Sequence, residues 1–188
     1  HFRPSPTAGR VLADAALTLG AAASFFHRGA ERLYLFNFMD SETTVNDPDS
    51  DFPTILHHAG DPTTICGHPR RHPVTYPDTQ APGMPGSHLL PASCTRGGRA
   101  TFRIHIGPRP DAGTACVVIG YAAESVAGAG AVQVWLNGEA CPAGTGPVPS
   151  PTWEEAGLLC RYEIPIDALQ EGYNLLEASA RSEKPITI

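Results

Sequence analysis

The chain has 188 residues, a formal net charge of −6, 41% apolar residues and only 17% charged ones. That length suits one domain or a domain plus a fragment, and the apolar share is enough for a core. The acidic balance lacks the basic footprint that nucleic-acid binding requires. No apolar run reaches membrane-spanning length, and 19 glycines with 19 prolines imply many turns and short strands.

The chain starts at His1 without the charged, apolar and cleavage-site pattern of a signal peptide, so a processed or excised piece is expected. After a proline-rich start, Thr7 is placed as the N-cap of a helix of about twenty residues running toward Arg28. Val11, Leu12, Ala15, Leu19, Ala22 and Phe26 recur at three- and four-residue spacing and give that helix one apolar face. Its many alanines make it thin. Gly29 stands where a C-terminal stop belongs, and Leu33 to Phe38 reads as a short strand buried on both faces.

Residues 41–51 form an acidic loop. Phe52 to Gly60 reads as a short helix with Asp51 as cap and Gly60 as stop, and Asp61-Pro62-Thr63-Thr64 opens another turn with proline at its favoured first position. Arg71 to Tyr76 reads as a short edge strand, and residues 77–98 as a Pro/Gly/Ser-rich linker. From Arg99 the hydrophobic period changes to two. Phe102, Ile104 and Ile106 alternate with Thr101, Arg103 and His105, as do Val132, Val134 and Leu136 with Gln133, Trp135 and Asn137, and Leu158, Cys160, Tyr162 and Ile164 with Leu159, Arg161 and Glu163. Cys116 to Tyr121, Gly172 to Ala178 and Pro185 to Ile188 add further strands, and Asn137-Gly138 signals a tight hairpin turn. The expected fold is mainly β: an antiparallel, jelly-roll-like β-sandwich over 99–188, with an N-terminal α/β segment over 1–76.

The stretch Arg28-Gly29-Ala30-Glu31-Arg32-Leu33-Tyr34-Leu35-Phe36-Asn37-Phe38 resembles the last helix–strand unit of the TIM barrel in bacterial glycoside-hydrolase-like proteins. Ile55 to Pro62 looks like the short helix after that strand. Residues 99–188 resemble the galactose-binding-like β-sandwich appended to such barrels, through Val132-Gln133-Val134-Trp135-Leu136-Asn137-Gly138 and Ile164 to Asn174 with its Gly-x-Asn. A whole barrel has eight such units and typically about 250 residues, so this chain holds one of them. The resemblance implies a non-catalytic C-terminal portion of a carbohydrate-active protein. Its sandwich would support the barrel or bind carbohydrate, its partners would be carbohydrate and the rest of the barrel, and its setting would be extracellular or the cell envelope. The parent would be the enzyme. The competing expectation is a cell-surface or extracellular protein-interaction module with no carbohydrate function.

Within that frame no catalytic residue, metal or cofactor is assigned. Asn37, Asp40 and Glu42 follow the strand end that faces a barrel's active site and are candidate sugar ligands, set against a plain solvated loop. Trp153, beside Glu154 and Glu155, is the candidate stacking ring, while Trp135 lies on the face opposite Val132, Val134 and Leu136. Cys66, His68 and His72 are zinc-ligand types without paired Cys-x2-Cys spacing, which favours a loop with coincidental histidines. His105 is expected as a solvated cross-strand neighbour. Five cysteines leave at least one unpaired within the chain; Cys141 and Cys160 are close enough in pattern to bridge, although buried thiols are the plainer expectation. Glycine-rich phosphate loops, Gly-x-Ser-x-Gly and His-Glu-x-x-His are missing from the sequence, so nucleotide, serine-hydrolase and zincin chemistry have no motif support.

Overall fold

The computed structural model describes residues 14–35, 51–74, 89–148 and 157–188. Among these the architecture is mainly β, with eight strands in antiparallel pairings and a small helical segment at the N-terminal side.

Helix α1 spans Ala15–His27. It begins at Asp14, whose backbone is extended and whose Oδ1 accepts from the Leu17 N–H at 2.8 Å. Thr7, the expected cap, lies outside the described residues; the helix begins at Asp14, whose short acidic side chain takes up the backbone donors there. The expected stop is observed. Gly29 takes a φ of 95°, its N–H reaches Phe26 O at 2.9 Å, and the Ala30 N–H reaches Phe25 O at 3.0 Å, which is a Schellman closure. Helices α2, Phe52–His58, and α3, Pro62–Ile65, follow. Asp61 caps α3 through the Thr63 N–H at 2.8 Å. Asp51 stands at the start of α2 as expected, but its carboxylate accepts from Ala15 N–H of α1 at 2.7 Å rather than from its own helix.

Leu19, Ala22 and Ala23 of α1 pack with Ile55, Ala59 and Ile65 in one apolar cluster, edged by Ala15, Phe26, Leu33 and Leu35. The expected strand at Leu33 to Phe38 is corrected over its described part: residues 33–35 form no strand, and Leu33 and Leu35 pack against the helices instead while Tyr34 is exposed. No strand pairs with them among the described residues, and an isolated strand leaves its backbone groups unmatched. Residues 36–38 lie outside the described residues. Residues 71–74 of the expected edge strand likewise form none, 75–76 lying outside the described residues, and the Arg71 N–H bonds to Ala16 O of α1 at 2.9 Å.

The strands are β1 Ser93–Cys94, β2 Ala100–His105, β3 Ala115–Tyr121, β4 Val132–Leu136, β5 Glu139–Ala140, β6 Leu158–Ile164, β7 Tyr173–Ala180 and β8 Ile186–Thr187. They form a four-stranded sheet in the order β2-β7-β4-β5 and two pairs, β3-β6 and β1-β8. Period-two alternation places Phe102, Val134, Leu136, Leu176, Ala178, Ile119, Tyr162 and Ile186 in one apolar cluster fed by all three sheets. Ser93 and Cys94, read from sequence as linker, are β1, and Cys94 is fully buried. The Asn137-Gly138 turn has φ of 51° and 86°, as a two-residue hairpin requires.

All five cysteines are free, so the expected alternative of a Cys141–Cys160 bridge is not realised. Cys94, Cys141 and Cys160 are buried, and burial raises their thiols, Cys94 to about 11. The buried Tyr121 and Tyr162 hydroxyls bond to each other; burial first, and for Tyr121 that bond second, pushes both upward. The core therefore contains polar atoms but no ionised ones.

Candidate functional site

The end of β2 and the start of β7 lie against helix α1. A close approach makes this seam: a Cβ on Gly107, which has φ of 73°, would stand 2.6 Å from Ala23 O of α1. A separate close approach joins α1 to the segment after α3, where a Cβ on Gly20 would stand 2.2 Å from Arg71 O. Arg70 bridges the same seam, its guanidinium donating to Pro108 O at 3.0 Å and Ile106 O at 3.4 Å.

Two side chains of α1 and two from the β unit form a chain of hydrogen bonds across the seam. Ser24 Oγ lies 2.9 Å from His105 Nδ1, His105 Nε2 lies 3.3 Å from His27 Nδ1, and His27 Nε2 lies 3.0 Å from Glu171 Oε1. The partners fix the tautomers. The Gly107 N–H, 3.3 Å from His105 Nδ1, can only donate, so that nitrogen is an acceptor. The Glu171 carboxylate can only accept, so His27 Nε2 carries a proton. The neutral chain then runs one way: Ser24 O–H to His105, His105 Nε2–H to His27, His27 Nε2–H to Glu171. Tyr173 closes the side edge-on to His105 with ring centroids 4.8 Å apart, and Arg103 stacks 4.4 Å over Tyr173.

Electrostatics favour the neutral state. His105 is lowered from its ordinary value by desolvation, then by His27 and Arg28. His72 is lowered to about 4 by desolvation, then by Arg70 and His105. His105 is the expected cross-strand neighbour, paired with Tyr173, but it is half-buried and bonded to α1 rather than solvated.

An open cleft of about 370 Å³ lies beside the chain, lined by Ala23, Phe26 and His27 of α1 and by Glu31, Cys66 and Pro108. Ser24 does not line it, and the Gly107 N–H is directed at His105 rather than toward the cleft. A serine–histidine pair becomes a nucleophile only when its hydroxyl faces substrate and donors await the oxyanion. Here the same bonding works as a joint.

The sequence candidates fare differently. Asn37, Asp40, Glu42 and Trp153 all lie outside the described residues. Among the described residues no three metal-ligand side chains converge. Cys66 Sγ faces Pro62 O at 3.5 Å, and His68 stacks on His58 with centroids 3.9 Å apart. His72 instead lies toward Arg70 and His105. Trp135 faces outward as expected, with the Arg99 guanidinium 4.5 Å above its ring and Arg99 paired to Glu177 at 2.8 Å. Ser24, His27, His105 and Glu171 were missed by sequence reasoning because 78 to 144 positions separate the bonded ends. The available signal was two histidines at strand and helix ends.

No family model matches the chain, and no curated protein matches it significantly.

Proposed function

We propose that this chain is a non-catalytic accessory portion of a carbohydrate-active, glycoside-hydrolase-like protein. Residues 99–188 act as a jelly-roll-like sandwich that supports a neighbouring barrel or binds carbohydrate. One observation carries the supporting role: the Ser24–His105–His27–Glu171 chain joins the helical segment to the β unit. A helix held this way transmits position from one part to the other, as a supporting domain must. The single apolar cluster shared by three antiparallel sheets supports the sandwich reading. The sugar contacts proposed are Asn37, Asp40, Glu42 and Trp153.

The test is glycan-array binding with the purified 188-residue chain and its Trp153→Ala variant, alongside a glycoside turnover assay. Binding lost in the variant with no turnover supports carbohydrate recognition, and turnover refutes the non-catalytic role. A protein-interaction module is the second reading. It is favoured by the outward face of the four-stranded sheet, where Tyr173 is 48% and Leu175 37% exposed beside Trp135. Recovery of a protein partner without glycan binding would select it.

A further inference from the structure

We propose that His27 and His105 together bind a divalent transition-metal ion, with zinc the natural fit, and that the ion staples helix α1 to the end of β2. This goes beyond the supporting role given above and needs only the geometry of the seam.

The gap between the two rings is the starting point. His27 Nδ1 and His105 Nε2 lie 3.3 Å apart, at the long end for a hydrogen bond between them. Two nitrogens at that separation, each about 2.05 Å from one point, subtend about 107° there, close to the tetrahedral angle of a zinc centre. The ring centroids are 5.1 Å apart and the planes are inclined by 53°. Rings meeting head-on across the same gap would have centroids further apart, so the rings are bent about it, which lets both lone pairs converge.

The outer nitrogens are already held as those of metal-bound histidines are. Such a ring donates its other N–H to an oxygen, which fixes its tautomer and orientation. His27 Nε2 donates to Glu171 Oε1 at 3.0 Å and leaves Nδ1 as a lone pair. His105 Nδ1 lies 2.9 Å from Ser24 Oγ. When Nε2 of His105 takes the metal, its proton moves to Nδ1 and is donated to Ser24 Oγ, since a hydroxyl accepts as readily as it donates. The ring stays neutral throughout. What is given up is the 3.3 Å contact from the Gly107 N–H and the bond between the two histidines, and two coordinate bonds replace them.

Paired imidazoles select zinc, copper or nickel over magnesium or calcium. Two protein ligands leave the other positions of a tetrahedral centre to water, so the ion is exchangeable rather than locked in a closed set of four. Arg28 faces His105 and opposes a cation; the Glu171 carboxylate behind His27 offsets it. The other histidine pair is a poorer site. His58 and His68 stack with centroids 3.9 Å apart, which opposes ring faces rather than nitrogen lone pairs.

The experiment is nitrogen NMR of the imidazole rings in the full chain at about pH 7.5, where histidines are neutral, titrated with zinc chloride alone. His27 Nδ1 and His105 Nε2 are expected to shift together, and α1 amides to gain protection from exchange. By calorimetry, His27→Gln and, separately, His105→Gln are each expected to weaken zinc binding by roughly tenfold or more, while His58→Gln leaves it unchanged. Zinc shifting only His57, His58, His68 or His72, or shifting neither His27 nor His105, overturns the proposal. So does binding undiminished in both variants. The NMR titration of the unsubstituted chain decides the matter even where a variant fails to fold.

Discussion

Asn174→Ala tests the way the β unit is closed. Asn174 is only 2% exposed. Its Oδ1 accepts from Gln170 N–H at 2.9 Å and from Asn137 Nδ2 at 2.8 Å, and its Nδ2 donates to Gln170 O at 2.8 Å and Gly172 O at 3.4 Å. Asn137 in turn donates to Ala168 O at 2.7 Å and accepts from the Leu175 N–H at 2.8 Å. The two asparagines thus tie the β4–β5 hairpin to the loop before β7. Truncation at 174 leaves two donors and one carbonyl without partners. An unmatched buried group costs about 1–3 kcal/mol, and partial water access at Gln170 reduces the total to about 3 kcal/mol. For a chain of this size that lowers Tm by roughly 6–12 °C. Urea and thermal unfolding followed by circular dichroism would measure it. Asn137→Gly removes the partner side chain while tolerating the φ of 51°, so a double-mutant cycle isolates the pair. A loss at 174 below about 1 kcal/mol, or strictly additive effects, would refute the reasoning.

Three further outcomes follow from the same geometry. Gly107→Ala sets a Cβ 2.6 Å from Ala23 O at a φ of 73°, so α1 amides should lose protection while β4 and β7 keep theirs. Thiol titration of the native chain should show Cys66 and Cys116 reacting quickly and Cys94, Cys141 and Cys160 only after unfolding, since the first two are exposed and the others buried. Stability should fall on acidification: His72 is lowered from 6.5 to about 4, so the folded state is favoured above 6.5 and loses that advantage as pH falls toward 4. At about 1.4 kcal/mol per pH unit, moderated by its partly open side, the effect is about 2 kcal/mol and should be reduced in His72→Gln.

The sequence by itself determined the local and periodic features. Gly29 ends α1 because only a residue free to adopt positive φ closes a Schellman turn cheaply. Asn137-Gly138 forms the hairpin for the same reason, and Val132, Val134 and Leu136 turn inward because a strand repeats every two residues. Pro62 opens α3 where proline is harmless. These depend on neighbours a few positions away. Tertiary structure decided the rest. Asp51 reaches another helix because capping depends on which N–H groups lie nearby in space. Residues 33–35 form no strand because strand formation needs a partner edge that no local pattern supplies. Ser24, His27, His105 and Glu171 become one chain only when α1 settles on the ends of β2 and β7, a contact allowed by the missing side chain at Gly107. No spacing along the chain encodes a bond between positions 27 and 171, whose separation of 144 residues is closed by packing alone.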